Sequence, residues 1–136
     1  SIVLNDIALD AEGNFVAVGQ ANDQAFAIRI NAADQELNRV FLSSNTAEQA
    51  SSLAIDQYGA IFVATHSPEG FNLYRLKPDL TTINQYPSRR FGELFKSRAV
   101  AVDDIGNVYV TGSAQFDSEW DIFVLKYPGA SGEYDN

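Results

Sequence analysis

Three features of the sequence predict an all-β fold assembled from repeated antiparallel sheets. One pattern returns three times, each copy is built of apolar runs too short for helices, and the runs are joined by a glycine turn at a fixed place. Around Gly13 the chain reads Ile7-Ala8-Leu9-Asp10, then Gly13-Asn14-Phe15-Val16-Ala17-Val18. Around Gly59 it reads Leu53-Ala54-Ile55-Asp56, then Gly59-Ala60-Ile61-Phe62-Val63-Ala64. Around Gly106 it reads Val100-Ala101-Val102-Asp103, then Gly106-Asn107-Val108-Tyr109-Val110-Thr111. The glycines lie 46 and 47 residues apart, a period in the range of propeller blades.

The first and second runs of each copy are rich in Val, Ile, Phe and Tyr and form a hairpin. Between them the Asp-x-x-Gly segment is a tight turn: the glycine supplies positive φ, and the aspartate accepts backbone hydrogen bonds at the turn's start. Asp10/Gly13, Asp56/Gly59 and Asp103/Gly106 are therefore turn chemistry. In the first strands Ala8, Ala54 and Ala101 hold one position between larger residues, which suits strands that converge on an axis. In the second strands both faces are apolar, as expected for sheets covered on both sides.

A third run follows as Phe26-Ala27-Ile28-Arg29-Ile30, Asn72-Leu73-Tyr74-Arg75-Leu76 and Phe123-Val124-Leu125-Lys126-Tyr127, with a basic residue at the same place in each. From glycine to basic residue the spacing is 16, 16 and then 20, so the third copy carries four extra residues before this strand. The insertion, within Ser113 to Trp120, is expected to lengthen a loop. Weaker fourth strands are expected at Asn38 to Ser43 and Thr82 to Tyr86, where polar residues and Pro87 suit a sheet edge. After Lys126 the stretch Pro128-Gly129-Ala130-Ser131-Gly132 is turn-like, so the third sheet is expected to lack its outer strand. Four-stranded sheets stacked around an axis make a β-propeller. The expected architecture is three blades, about 1-45, 46-95 and 96-136, forming one domain: half of a six-bladed ring or a fragment of a larger propeller.

At these residues the chain resembles the bacterial propeller repeat called SBBP, whose core reads approximately Asp-x-x-Gly-Asn-x-Tyr-Val-x-Gly and later Phe-x-x-Lys. Asp103, Gly106-Asn107-Val108-Tyr109-Val110-Thr111-Gly112 and Phe123-Val124-Leu125-Lys126 carry the resemblance, as do Asp10, Gly13-Asn14 and Gly19. The second copy departs from it, with Ala60 in place of Asn and Thr65-His66 where Gly is expected. The resemblance implies a secreted or surface-attached bacterial protein and an interaction module without an assigned reaction. Trp120-Asp121 spells the dipeptide of another propeller family, but occurs once and precedes the third strand instead of ending it.

Composition narrows the partners. With 18 acidic and 9 basic residues the formal net charge is −9, which repels a phosphate backbone and disfavours nucleic acid. The longest apolar runs fall far short of the roughly 20 residues of a helical membrane span, so membrane insertion is not expected. Cysteine is absent, which excludes disulfides, cysteine zinc sites and thiol catalysis. Methionine is absent too and the sequence opens on Ser1 before a strand, as expected of a piece cut from a longer polypeptide.

No nucleophile elbow, phosphate loop, zinc motif or dinucleotide fingerprint occurs, and no cofactor is expected. In a propeller the turns between second and third strands share one rim, which gathers Gln20 to Gln24 with Asp23, His66 to Gly70, and Ser113 to Trp120; neighbouring connections add Glu48, Arg89, Arg90 and Glu93. The expected ligand contacts are Trp120, Asp117 and Glu119 from the insertion, with His66 and Glu69 across the rim, because aromatic bodies beside carboxylates suit stacking and hydrogen bonding. The leading reading is a non-catalytic module for binding or assembly. The alternatives are a propeller-type hydrolase or lyase with a rim metal site formed by His66 and carboxylates, and a carbohydrate-binding lectin; the sequence leaves catalysis open. Three blades cannot close a ring. Covering on the order of 500 Å² at one open face gains roughly 12 kcal/mol before association costs, so the expected partners are a second copy or the missing blades of a parent protein, with a glycan or protein as the ligand.

Overall fold

The computed structural model describes residues 1–44, 47–89 and 94–134, with backbone only at 87–89. Its elements are eleven β-strands: β1 Ile2–Leu9, β2 Phe15–Ala21, β3 Gln24–Ile30, β4 Glu36–Phe41, β5 Gln49–Ile55, β6 Ile61–Ser67, β7 Gly70–Leu76, β8 Thr82–Arg89, β9 Leu94–Val102, β10 Val108–Phe116 and β11 Glu119–Tyr127. They form three antiparallel sheets of neighbouring strands, β1-β2-β3-β4, β5-β6-β7-β8 and β9-β10-β11. The fold is all-β, and the third sheet has three strands among the described residues. The fourth strands run Glu36–Phe41 and Thr82–Arg89, the first starting two residues before its expected place and the second reaching past Pro87.

The repeated turns obey the chemistry expected of them. The aspartate Oδ1 accepts two backbone N–H groups in each copy: those of Glu12 and Asn14 at Asp10, of Tyr58 and Ala60 at Asp56, and of Ile105 and Asn107 at Asp103. Gly13, Gly59 and Gly106 take φ of 83°, 86° and 99°, values that side-chain-bearing residues adopt only under strain. These hydrogen bonds hold the Asp103 carboxyl below the usual carboxylate range, led by the bond from the Asn107 backbone.

Sheets pack face to face in chain order. Val16, Val18, Ala25 and Ala27 of the first sheet meet Leu53, Ile61, Val63 and Tyr74 of the second. The second sheet's other face, with Phe62, Ala64 and Leu73, meets Val100, Val108 and Val110 of the third. Beside this contact Phe71 packs against Phe95 and Phe123, with ring centroids 5.2 and 4.3 Å apart. Every sheet thus has a forward face, toward the next sheet in sequence, and a backward face.

A bulge recurs in the first strand of each sheet, leaving Asn5, Ser51 and Arg98 without direct cross-strand partners. The bulges are spaced 46 and 47 residues apart, as the glycines are. They turn side chains toward the following sheet. Asn5 Nδ2 donates to the Ala50 carbonyl at 2.8 Å, and Ser51 Oγ lies 2.6 Å from Ser97 Oγ. The next residue does the same: Asp6 Oδ2 accepts Leu53 N–H and Ser52 Oγ–H, while Ser52 Oγ accepts Val100 N–H. First strands are thereby stitched across sheets by a relay found at both junctions between neighbouring sheets.

Opposite the bulges of the first and third sheets the second strand needs glycine. A Cβ on Gly19 would lie 1.8 Å from the Val3 carbonyl oxygen, and one on Gly112 would lie 2.1 Å from that of Lys96. Thr65 stands at this position in the second sheet, where its hydroxyl donates to Glu48. The departure from the repeat pattern therefore serves a polar contact.

At Gly106 a Cβ would meet the Ser131 carbonyl oxygen at 3.1 Å as well as a positive φ. Gly106→Val is predicted to destabilise the protein by about 1–3 kcal/mol. The check is the denaturant midpoint; an unchanged value contradicts the turn geometry.

Candidate functional site

Three hairpin turns join the second and third strands of the sheets, each of two residues: Asn22-Asp23, Pro68-Glu69 and Asp117-Ser118. Asn22, Asp23, Asp117 and Ser118 all have positive φ, the backbone of a type I′ turn, whose twist matches that of the flanking strands. This corrects the expectation of a lengthened loop. The four extra residues of the third copy extend β10 and β11 to nine residues each, against seven in β2, β3, β6 and β7. Cross-strand pairing continues through Ala114↔Asp121, Gln115↔Trp120 and Phe116↔Glu119. Asp117 occupies the turn, while Glu119 and Trp120 open β11. All three are exposed.

Trp120 is not part of the core. The Lys96 Nζ, from β9 on the far side of β10 in the same sheet, lies over its ring 5.5 Å from the centroid, a cation–π contact. Glu69 is exposed in the β6–β7 turn, and Asp23 in the β2–β3 turn. His66 lies within β6, paired with Gln49 and Phe71, and is partly buried.

The second and third sheets bound a cleft of about 490 Å³ at this rim, lined by residues that include Gln49, His66, Pro68, Leu94, Phe95 and Lys96. Lys96 reaches the edge of the cleft, but Lys96 and Trp120 alternate with Phe95, Ala114 and Phe123, which pack against the second sheet, so both side chains stand on the third sheet's forward face, away from His66. Asp117 and Glu119 belong to the tip of the longer hairpin. Neither they nor Glu69 line the cleft. Among the described residues no three His, Asp or Glu side chains come together as a metal site would require.

The His66 ring is fixed by the third sheet. Its Nδ1 accepts the backbone N–H of Ser97 at 3.1 Å and lies 2.9 Å from Ser97 Oγ. A nitrogen that accepts this backbone proton cannot carry its own, which places the neutral ring's proton on Nε2. Burial, and then Arg98 and Lys96, push the His66 pKa below its ordinary value of 6.5. The ring is thus a neutral hydrogen-bonding group near neutral pH. Ser97 Oγ is buried and engaged with Ser51 as well, so His66 and Ser97 form a structural pair between sheets.

Glu48, expected among the polar connections of the rim, is completely buried. Its carboxylate accepts hydrogen bonds from Ser43, Thr65, Asn72 and Tyr74. Burial first, then the Glu48 charge, push the Tyr74 phenol above its usual value. The polar surroundings of Glu48 in sequence gave no signal of this, because its donors lie on other strands and converge only after folding. Arg90 and Glu93 lie outside the described residues, as does the side chain of Arg89.

Because His66 is held neutral in the folded state and takes up a proton near 6.5 when unfolded, the unfolded chain binds more protons below that pH. The contribution of His66 to stability is full above pH about 6.5 and declines as pH falls toward the depressed folded-state value. Denaturation midpoints measured between pH 7.5 and about 5 are expected to fall with pH, and His66→Gln to flatten the slope. Equal slopes in the two proteins would contradict the assignment.

No family model and no curated protein matches the chain. Among solved structures it is similar to the crystal structure of a protein of unknown function from Bacteroides caccae, with a TM-score of 0.61 and 11% sequence identity over 94% of this chain. The chain spans 46% of the length of that structure. The likeness is one of fold.

Proposed function

We propose that the chain is a β-propeller module of the SBBP kind that acts by binding and assembly, not by catalysing a reaction, in a secreted or surface-associated bacterial protein. One observation carries this reading: repeat positions that are buried wherever two sheets meet lie exposed at both ends of the stack. In the first sheet these are the backward-face residues Leu4 and Ile7; in the third they are forward-face residues such as Ile122 and Val124. Contiguous apolar surface of this kind marks an interaction site. The convergence of the first strands through their bulge contacts supports an arrangement around an axis, with the fourth strands outermost.

The cleft between the second and third sheets is the place such a module would offer a smaller ligand, with Gln49, His66 and Phe95 in its lining; Trp120 stands on the other face of the third sheet. The turns at the corresponding places of the other two sheets carry Asn22-Asp23 and Pro68-Glu69, without an aromatic counterpart to Trp120. A lectin with repeated stacking pockets therefore draws no support from them.

A tandem fusion of two copies tests the propeller reading, because it holds six sheets in one chain. The fusion is expected to be monomeric, to scatter X-rays as a compact disc with an axial channel, and to unfold at a higher denaturant concentration than the single copy. A particle scattering as two independent beads with the single-copy midpoint would overturn it.

A further inference from the structure

The two open faces of the stack complement each other position by position. Leu4, Ala50 and Ser97 are equivalent in the repeat, as are Ile7, Leu53 and Val100. Leu4 and Ile7 are 52% and 59% exposed, whereas Ala50, Leu53, Ser97 and Val100 are at most 8% exposed against the preceding sheet. At the other end Ile122 and Val124 are equivalent to Phe71 and Leu73. They are 84% and 66% exposed, whereas Phe71 and Leu73 are 1% and 0% exposed against the following sheet. Among the described residues no sheet covers the backward face of the first sheet or the forward face of the third.

Polar groups repeat the same offset. The bulge side chain of one sheet reaches the residue before the bulge in the next: Asn5 reaches Ala50, and Ser51 reaches Ser97. The third member of the series is Arg98, which is exposed and faces no following sheet. The residue it would reach is the equivalent of Ala50 and Ser97, namely Leu4. There the open face holds a groove of about 330 Å³ lined by Leu4, Asn5, Asp6, Ile7 and Ala17. Arg98 is exposed on the third sheet, and Lys96 and Lys126 place further positive charge on the forward face of that sheet, in a chain whose net charge is −9 and whose other copy would therefore present a predominantly acidic surface to it. The similar solved structure, of which this chain spans 46%, has the length to hold the fold twice.

We propose that a second copy of this chain covers both open faces. The third sheet of each copy packs on the first sheet of the other, and Arg98 enters the groove between Leu4 and Ile7. The two contacts are equivalent by a two-fold axis, and together they close a ring of six sheets. This rests on the propeller reading and specifies its partner.

Cysteine cross-linking tests the pairing, since the chain has no native cysteine. Leu4→Cys and Arg98→Cys, both at exposed positions, are prepared separately, checked for wild-type denaturation midpoints, mixed, and oxidised or treated with a short bis-maleimide. The expected result is a covalent dimer in the mixture and none in either protein alone. Cross-links within the Leu4→Cys protein alone would mean like faces pair and would overturn the head-to-tail contact. Absence of any cross-link would overturn the second copy as the occupant. If the tandem fusion still closes into a disc, the propeller reading survives that result, with the faces covered by other sheets of a longer protein. If it does not, both fail.

Discussion

A sheet with apolar residues on both faces must be covered on both, and this constraint organises the whole molecule. The middle sheet satisfies it within the chain: Ile61 and Val63 face the first sheet while Phe62 and Ala64 face the third, all completely buried. At about 25 cal/mol per Å² of apolar surface removed from water, face-to-face stacking is the dominant favourable contribution to the fold, and it would otherwise repeat at each end. The end sheets carry the same alternation, so their open faces follow from the repeat itself and need no separate design.

Direction is added by the first strands. Apolar stacking alone tolerates sliding, but the relay from Asp6 to Ser52 and Leu53, and from Ser52 to Val100, sets how far each sheet is offset from the last. Buried polar atoms must find partners, so a slipped sheet would strand these groups. Glu48 acts similarly between the first and second sheets, where a buried carboxylate with four side-chain donors accepts only one arrangement of β6 and β7 around the β4–β5 connection. His66 joins the second sheet to the backbone of the third at Ser97. Polar specificity thus sits at the rim and the first strands, with apolar stacking between them.

Much of the local structure was legible before folding was considered. The Asp-x-x-Gly turns, the hairpins they close and the three-stranded make-up of the third sheet among the described residues depend on residues close in sequence. What was misread depends on pairing. Ser113 to Trp120 has a loop-like composition, yet Asp117 and Ser118 accept positive φ and let β10 and β11 zip two residues further on each side. The bulges at Asn5, Ser51 and Arg98 share no residue type, so their period was hidden although their geometry is the same. Glu48 was unreadable because its donors lie up to 26 residues away. Of the five expected ligand contacts, His66 lines the cleft, Trp120 stands on the third sheet's forward face, Asp117 and Glu119 share the tip of the β10–β11 hairpin and Glu69 sits in the β6–β7 turn.

The forces that stack sheets inside the chain remain unspent at its open end faces, and on the proposed reading the module works through what stacks against them. The mass of the particle in solution measures this directly. Sedimentation equilibrium at micromolar concentration is expected to return twice the 14.9 kDa of the chain, falling toward one chain on dilution. A single, concentration-independent mass of 14.9 kDa for the folded protein would contradict the account.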